Sequence, residues 1–448
     1  MFSVCINTKC FCYSLVPVDM ESSEDVADLV EKLYQYRDNF VDTHGLNNIK
    51  EKPGLVKCEM DKTLCRLKEQ ESNCQKTMYM LLYAKVLNIV PEYSRECEEY
   101  LSKVVKRDPS LIEAWNMLGE TFWKKGDISA AKDCFEGALK RSKEKVSLRS
   151  LSMVLRQLKP SKLGDEQKNI LQSVEHAKEA VQLDVNDGTS WYVLGNAYLS
   201  LFFSTEQNPK VLTLSLNAYA QAEKVDPLSV HNPDLHFNRA AACRYEEAYK
   251  LALEGWLKAE ALDPTWVEPR AKISELCNFL DKLNELVKKR GRLKNKRLQN
   301  LISSIKEKDL GPYHGEFVNK DKKVTLTSTN IKDLKEGRNE EKVLLGRVVC
   351  NLADLTLVPF TFAIVDSSGS CCAVTLYNLA QGRGMIIGDS VAIPEPYLTH
   401  HDIEWQGGSR WKFSSIRVTN PVVLVVNGKK LTNEHCGYTR VSMTPSDL

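Results

Sequence analysis

No Cys-x2-Cys pair occurs anywhere in this sequence, although it holds 14 cysteines. Cys5, Cys10 and Cys12 crowd the N-terminus and Cys371 and Cys372 are adjacent. Neither a zinc ligand set nor a disulfide framework is spelled out, and reduced thiols of a cytosolic or nuclear chain are the expectation. No run reaches the roughly 18 apolar residues of a membrane span. Residues 1–18 carry one Lys and lack a small-residue cleavage site, so they do not read as a signal peptide, and Met20 serves equally well as a start. An excess of one charge is missing too: 61 Lys and Arg face 59 Asp and Glu, which leaves any nucleic-acid contact to a local patch. There is no Gly-rich phosphate loop and no Gly-x-Ser-x-Gly elbow. The 8 histidines do not cluster; His400 and His401 are neighbours, but successive strand residues point to opposite faces. Catalysis is the weakest class, and no cofactor or metal is expected.

What is present is a repeat. Trp115, Leu118, Gly119, Phe122, Ala131, Phe135 and Ala138 follow the tetratricopeptide (TPR) spacing. Trp115, Leu118 and Phe122 share a face at the 3.6 period, and Gly119 and Ala131 are small where two helix backbones must approach. Trp191, Leu194, Gly195 and Tyr198 repeat the first helix, and Tyr219, Ala222 and Pro227 end the second, with about eight residues inserted near 201–210. His236, Ala240, Ala252, Trp256, Ala259 and Pro264 keep the spacing in the next unit, Cys97, Leu101 and Val104 belong to an earlier copy over 76–109, and 145–185 is an irregular one. About five units in series make a superhelical solenoid with a concave wall.

The fold class expected is therefore an α+β multidomain chain: an all-α TPR solenoid followed by a small oligonucleotide/oligosaccharide-binding (OB) type β-barrel. Residues 1–19 are an N-terminal extension of uncertain status. Residues 20–75 hold capping helices (25–39 and 59–69), 76–287 the solenoid with a terminal helix from 267, 288–339 a basic stretch and polar linker, 340–430 the barrel, and 431–448 a disordered tail. The barrel rests on short β-branched or aromatic runs at 343–349, 360–366, 372–377, 390–393, 411–418 and 422–426, punctuated by turns. A small β-sandwich is the alternative. Phe360, Phe362, Tyr377, Trp405, Trp411 and Phe413 read as core ahead of base-stacking residues, and Arg347, Arg383, Arg410, Lys412 and Arg417 are too scattered for a nucleic-acid track.

In a TPR the first helix of each pair lines the groove. Its second position gives Asp234 and, 34 residues on, Glu268, a stacked acidic pair. Neighbouring groove positions give Asn116, Tyr192, Asn196 and Phe237, and the irregular repeat adds Arg156. Repeats that grip a C-terminal carboxylate carry Lys where this chain has Asn116 and acids. An acidic pair instead suits a cationic group, an N-terminal amine or an Arg, with Arg156 for an acidic residue of the same ligand and Tyr192 and Phe237 for an apolar one. The competing reading makes Asp234 a helix-start acid after Asn232-Pro233 and Arg156 a water-facing side chain. Residues 288–297 hold seven basic residues in ten, Lys294, Lys296 and Arg297 among them. That run is a solvated linker, a nuclear-import signal or a phosphate-backbone contact.

The segments 114–120, 150–158, 190–196, 218–226, 388–396 and 425–429 resemble the tetratricopeptide repeat protein 5 (Strap) family, a likeness running from about 22 to 430. The resemblance implies a TPR array joined to an OB barrel without catalysis. It implies two roles. One is reading the N-terminal Met-Arg-Glu peptide of nascent alpha- and beta-tubulin at the 60S ribosome near the exit tunnel, which triggers tubulin mRNA decay by deadenylase machinery through an adaptor. The alternative is a nuclear scaffold for acetyltransferase coactivators in the stress and DNA-damage response. Cytoplasmic and nuclear locations and no membrane partner follow. The family's peptide contacts fall on Arg156, Asp234 and Glu268, and its ribosome contacts on Lys294 and Lys296.

Overall fold

The computed structural model describes residues 26–437 apart from 161, 163, 206, 320–321, 353–358 and 381. The expected N-terminal extension and the last part of the expected tail lie outside the described residues. The capping helices are α1 (Val26–Asp38), α2 (Phe40–His44) and α3 (Lys52–Glu69). The third starts well before the expected 59, because Pro53 falls in its first turn, where a missing N–H costs no hydrogen bond. Val30 and Leu33 of α1 and Val56, Met60 and Leu67 of α3 bury themselves with Tyr79, Leu82 and Tyr83 of the first repeat.

Five helix pairs follow: α4 (Lys76–Leu87) with α5 (Arg95–Arg107), α6 (Ile112–Lys125) with α7 (Ile128–Leu139), α8 (Lys145–Gln157) with α9 (Asp165–Leu183), α10 (Gly188–Ser204) with α11 (Pro209–Val225), and α12 (Pro233–Tyr245) with α13 (Tyr249–Leu262). The terminal helix is α14 (Glu268–Lys288). The repeat glycines do what their spacing predicts. A Cβ on Gly119 would sit 2.7 Å from the Phe135 ring, and one on Gly195 would sit 2.6 Å from the Tyr219 ring. The repeated tryptophans also share a bond: Trp115 Nε1 donates to Pro109 O at 3.0 Å and Trp191 Nε1 to Val185 O at 2.8 Å. The insertion near 201–210 lengthens α10, so that Phe202 and Phe203 pack on Tyr245, which in turn meets Tyr377 beyond the solenoid.

Residues 288–339, expected as a linker, are structured. After a turn at Arg290–Arg292 come α15 (Asn295–Ser303), a 3-10 segment Glu307–Tyr313, the hairpin β1 (Glu316–Asn319) and β2 (Lys322–Thr325), β3 (Thr327–Thr329) and β4 (Gly337–Arg338). Among the described side chains the buried apolar anchors, Leu298, Leu310, Tyr313, Leu326 and Leu334, are too sparse to make a period.

The barrel strands are β5 (Lys342–Asn351), β6 (Phe360–Val365), β7 (Cys371–Leu376), β8 (Ser390–Pro394), β9 (Tyr397–Glu404) and β10 (Arg410–Val418), with short β11 (Val425–Val426) and β12 (Lys429–Lys430). They run in the order β8-β5-β6-β7-β10-β9, with β7 and β10 parallel. β8 and β9 are consecutive in the chain, bent at Glu395 (φ 44°) and Pro396. β8 and β9 are thus halves of one broken strand that brings the two sides of the sheet together, with β11 and β12 continuing beyond β8 and β4 beyond β9. The second half was not among the expected strands, because its buried residues, Leu398, His401 and Ile403, include a histidine and do not strictly alternate. The expected strand at 422–426 is instead a 3-10 turn, Pro421–Val423, leading into β11. Residues 431–437 belong to the fold, Leu431 packing on the barrel core and Cys436 bridging Leu379, so the barrel outruns its expected end at 430.

β5, β6, β7 and β8 are buried on both faces, whereas β9 and the first half of β10 expose alternate residues. Leu344, Val348, Phe362, Ile364, Val374, Ile393 and Ile416 fill the interior. Val349, Ala363, Val365, Ala373, Trp411 and Phe413 point outward into a second core shared with Tyr249, Leu276, Phe279, Leu280 and Leu283 of the solenoid. Polar contacts fix the register of this joint. Trp411 Nε1 donates to Asp281 Oδ1 at 2.7 Å. The Glu247 carboxylate accepts from Tyr377 Oη at 3.0 Å, Ser415 Oγ at 3.2 Å and Arg417 Nη1 at 3.5 Å, and Arg417 Nη1 also donates to Tyr245 O at 2.6 Å. Burial keeps the Tyr377 hydroxyl protonated and therefore a donor.

Two expectations follow for stability. Arg417→Met leaves Glu247 buried without its cation and should cost about 3–5 kcal/mol. In a double-mutant cycle by urea denaturation, adding Glu247→Leu should recover part of that loss. The second concerns His236, which is fully buried; its Nε2 donates to Val230 O at 2.8 Å and its Nδ1 accepts from Arg239 Nη2 at 3.2 Å, a pattern that only the neutral ring allows. Burial holds its pKa down to about 4, against 6.5 in the unfolded chain. The unfolded state therefore binds the extra proton between those values. Stability from this group is intact above pH 6.5 and should fall by about 2–3 kcal/mol by pH 4.5. Urea midpoints at both pH values should diverge less in His236→Gln than in the parent chain.

Candidate functional site

Asp234 is the second residue of α12, half-buried, in a first turn capped by Asn232, whose Oδ1 accepts from the N–H groups of Asp234 at 3.0 Å and Leu235 at 3.3 Å. Glu268 is the first residue of α14 and exposed, with the freely exposed Val267 just before it. Both acids therefore sit at positive helix ends on the first helices of successive units, where a carboxylate is stabilised. Among the described residues no salt bridge engages Glu268.

Arg156 lies in the last turn of α8, at the negative end of its helix. The water-facing reading fails: the residue is 8% exposed. Its Nη1 donates to Ser173 Oγ at 2.9 Å, Ser152 Oγ at 3.1 Å and Ser152 O at 3.3 Å. Those three acceptors are neutral and orient the guanidinium. Ser152 and Ser173, wholly buried at positions where a repeat would carry an apolar residue, were the signal that sequence reasoning passed over.

Tyr192, Asn196 and Phe237, expected to line the groove, are 6%, 2% and 3% exposed. Their side chains back the wall. Asn196 Oδ1 accepts from Tyr219 Oη at 2.7 Å and Asn238 Nδ2 at 3.3 Å, tying α10 to α11 and α12. Phe237 packs on Trp266, ring centroids 4.5 Å apart, and through it supports the start of α14 next to Glu268. A cleft of about 630 Å³ lies elsewhere, at the joint, among Phe202, Tyr245, Asn378, Arg417 and Asn420, and includes none of the expected groove residues.

The basic run divides. Lys289 and Arg292 pair with Glu285. Lys288, Arg290, Lys294, Lys296 and Arg297 are exposed and, among the described residues, form no salt bridge. The run leaves α14 through three successive left-handed residues, Arg290 (φ 46°), Gly291 (φ 70°) and Arg292 (φ 55°). Gly291 lies so close to the barrel that a Cβ would meet Val349 O at 2.4 Å. α15 then lays Leu298, with Leu301 and Ile302, on the shared core.

In OB folds the outer face of the second and third strands binds oligonucleotides. Here those strands are β6 and β7, and their outward residues Ala363, Val365 and Ala373 are covered by α14 and α15. Of the barrel aromatics, Phe362, Tyr377, Trp411 and Phe413 are buried, and Phe360 and Trp405 partly so, as the core reading expects. Arg410 and Lys412 are engaged by Asp402, Arg417 by the joint and Arg347 by Asp309. His400 is exposed while His401 is buried on the opposite face, bonded to Ser415 Oγ at 2.8 Å. Among the described residues no cluster of three metal-ligating side chains occurs. Burial pushes the Cys97 and Cys350 thiols up to about 11, so neither is a thiolate at neutral pH. The chemistry on offer is recognition of charge by fixed counter-charges.

The comparisons agree with this architecture. The tetratricopeptide repeat family matches residues 112–145, and the family described as the tetratricopeptide repeat protein 5 OB fold domain matches 325–440. Human tetratricopeptide repeat protein 5 is 49% identical over 425 residues, 94% of this chain and 96% of that protein. The mouse protein of the same name is 47% identical over 420 residues, 93% and 95% of the two chains. Among solved structures, YrrB, described as a TPR protein with an unusual peptide-binding site, is 23% identical with a TM-score of 0.31, over 46% of this chain and 95% of its own. The Cut9–Hcn1 tetramer gives 17% and 0.41, over 58% and 50%. Scores that low add nothing to the assignment. The coverage and identity of the full-length relatives do: this chain belongs to the tetratricopeptide repeat protein 5 family of TPR adaptors and scaffolds that carry an OB-fold domain.

Proposed function

We propose that the solenoid reads a short, extended N-terminal peptide of Met-Arg-Glu type, that of nascent alpha- or beta-tubulin, and that the basic run seats the protein on the 60S ribosome near the exit tunnel. Tubulin mRNA decay would then follow through an adaptor to the deadenylase machinery. The observation that carries the reading is the charge layout: Asp234 and Glu268 one repeat apart at helix starts, with the buried Arg156 oriented by Ser152 and Ser173. An Arg side chain or a free amine suits the two acids, and a following Glu suits the guanidinium. Burial of Arg156 makes its share the larger, because a charge-assisted bond out of water is worth about 1.5–3 kcal/mol.

The basic run supports the second half of the proposal by breaking a local rule. Lys294, Lys296 and Arg297 crowd the positive end of α15, where cations destabilise a helix. Their exposure at that cost points to a polyanion outside the chain, and rRNA phosphate is the one a ribosome offers. The same exposed run also suits nuclear import, which keeps a nuclear coactivator scaffold as the second reading.

In titrations with a Met-Arg-Glu peptide, Arg156→Met should weaken binding by about ten- to a hundredfold. Glu268→Gln should weaken it less and lose its effect at high salt. Unchanged affinity in both variants and in Asp234→Asn would remove the groove from consideration. Lys294→Glu with Lys296→Glu should abolish co-sedimentation with ribosomes at physiological salt while peptide affinity stays as it was. Retained co-sedimentation would send the reading to the nuclear alternative.

A further inference from the structure

The barrel face that takes oligonucleotides in other OB folds is occupied here by the chain itself, and the manner of its occupation is specific. Arg347 extends from β5 with its side chain 15% exposed. Its Nη2 donates to Ser304 O, one residue past α15, at 2.7 Å and to Asp309 Oδ2 at 2.9 Å, and its Nη1 donates to Gly388 O at 3.0 Å. One guanidinium thereby joins the end of α15, the 3-10 segment Glu307–Tyr313 and the loop between β7 and β8. At the other end of the basic run Gly291 is pressed against Val349 O. Between these two points Leu298 is buried, Ile302 lies against Gly369, and Leu301 lies against Gly388.

We propose that the barrel is a mount, not a nucleic-acid reader: it fixes the segment bearing Lys294, Lys296 and Arg297 in one position for an RNA phosphate backbone, with Arg347 as the positioning residue. The inference rests on the ribosome reading above and adds the means by which that contact is kept rigid. A floating basic segment must be ordered when it binds, at about a factor of ten in affinity for each backbone residue fixed. A segment fixed in advance avoids that loss. Arg347 touches no RNA in this scheme and changes no exposed charge, so its effect is separable from that of the lysines.

The test uses the full chain and purified ribosomes. Arg347→Met should weaken co-sedimentation about tenfold or more, raise amide exchange across 295–304, and leave peptide affinity and the exchange of β6 and β7 unchanged. Arg347→Lys, which keeps the charge but cannot span three acceptors, should fall between. If Arg347→Met unfolds the barrel, Arg347→Met with Asp309→Leu replaces the buried pair by apolar contact and still lacks the tether to Ser304 O, and the same losses are expected of it. Faster exchange across α15 with undiminished ribosome binding overturns the positioning role. Unchanged exchange overturns the clamp. Lys294→Glu with Lys296→Glu, run alongside, isolates the underlying reading: if that variant still sediments, the ribosome contact itself falls and the mount falls with it.

Discussion

A TPR helix pair buries its apolar face only against the next pair, so a series of them always ends on an unsatisfied surface. Everything from α14 onward answers that constraint. α14 covers the last pair, but its own far side is apolar, and the barrel covers it with the outward residues of β5, β6, β7 and β10. The barrel can do this because β5, β6 and β7 are apolar on both faces and β10 turns Trp411 and Phe413 toward α14. Solenoid and barrel therefore share one core, and the buried contacts of Glu247, Tyr377, Ser415 and Arg417 allow that core a single register. The Glu247 backbone (φ 61°) shows that the joint tolerates local strain to bring a carboxylate there.

The parts of this structure that were legible in the sequence are those set by local period. Trp-x2-Leu-Gly announced the helix pairs because Gly119 and Gly195 serve contacts made inside one unit. Strand cores such as 360–365 were legible for the same reason. What escaped was whatever depends on contacts far apart in the chain. α15 looks like a polar linker because its few apolar residues meet distant partners, Ile302 near Gly369 and Leu301 near Gly388. β9 alternates polar and apolar around two histidines. Glu247 and Arg417, 170 positions apart, carry no mark in the sequence of being partners.

The candidate site divides in the same way. Position in the repeat found Asp234 and Glu268, because both acids are set by the 34-residue period. It misjudged Tyr192, Asn196 and Phe237, since a groove position on a tightly wound solenoid can be closed over by its neighbours. It also missed why Arg156 is buried, because that depends on a serine from each of two helices separated by an irregular loop. The family assignment covers the whole architecture.

The lengthened α10 has a consequence of its own. Phe202 and Phe203 come from the inserted stretch, yet they wedge against Tyr245 beside the barrel's Tyr377. The insertion thus acts as a shim at the corner where two bodies meet. Lengthening or trimming it would tilt one body against the other, swinging α15 relative to the start of α12. Spacing between two distant parts of the molecule is then adjustable by a length change inside one repeat, with no substitution at either.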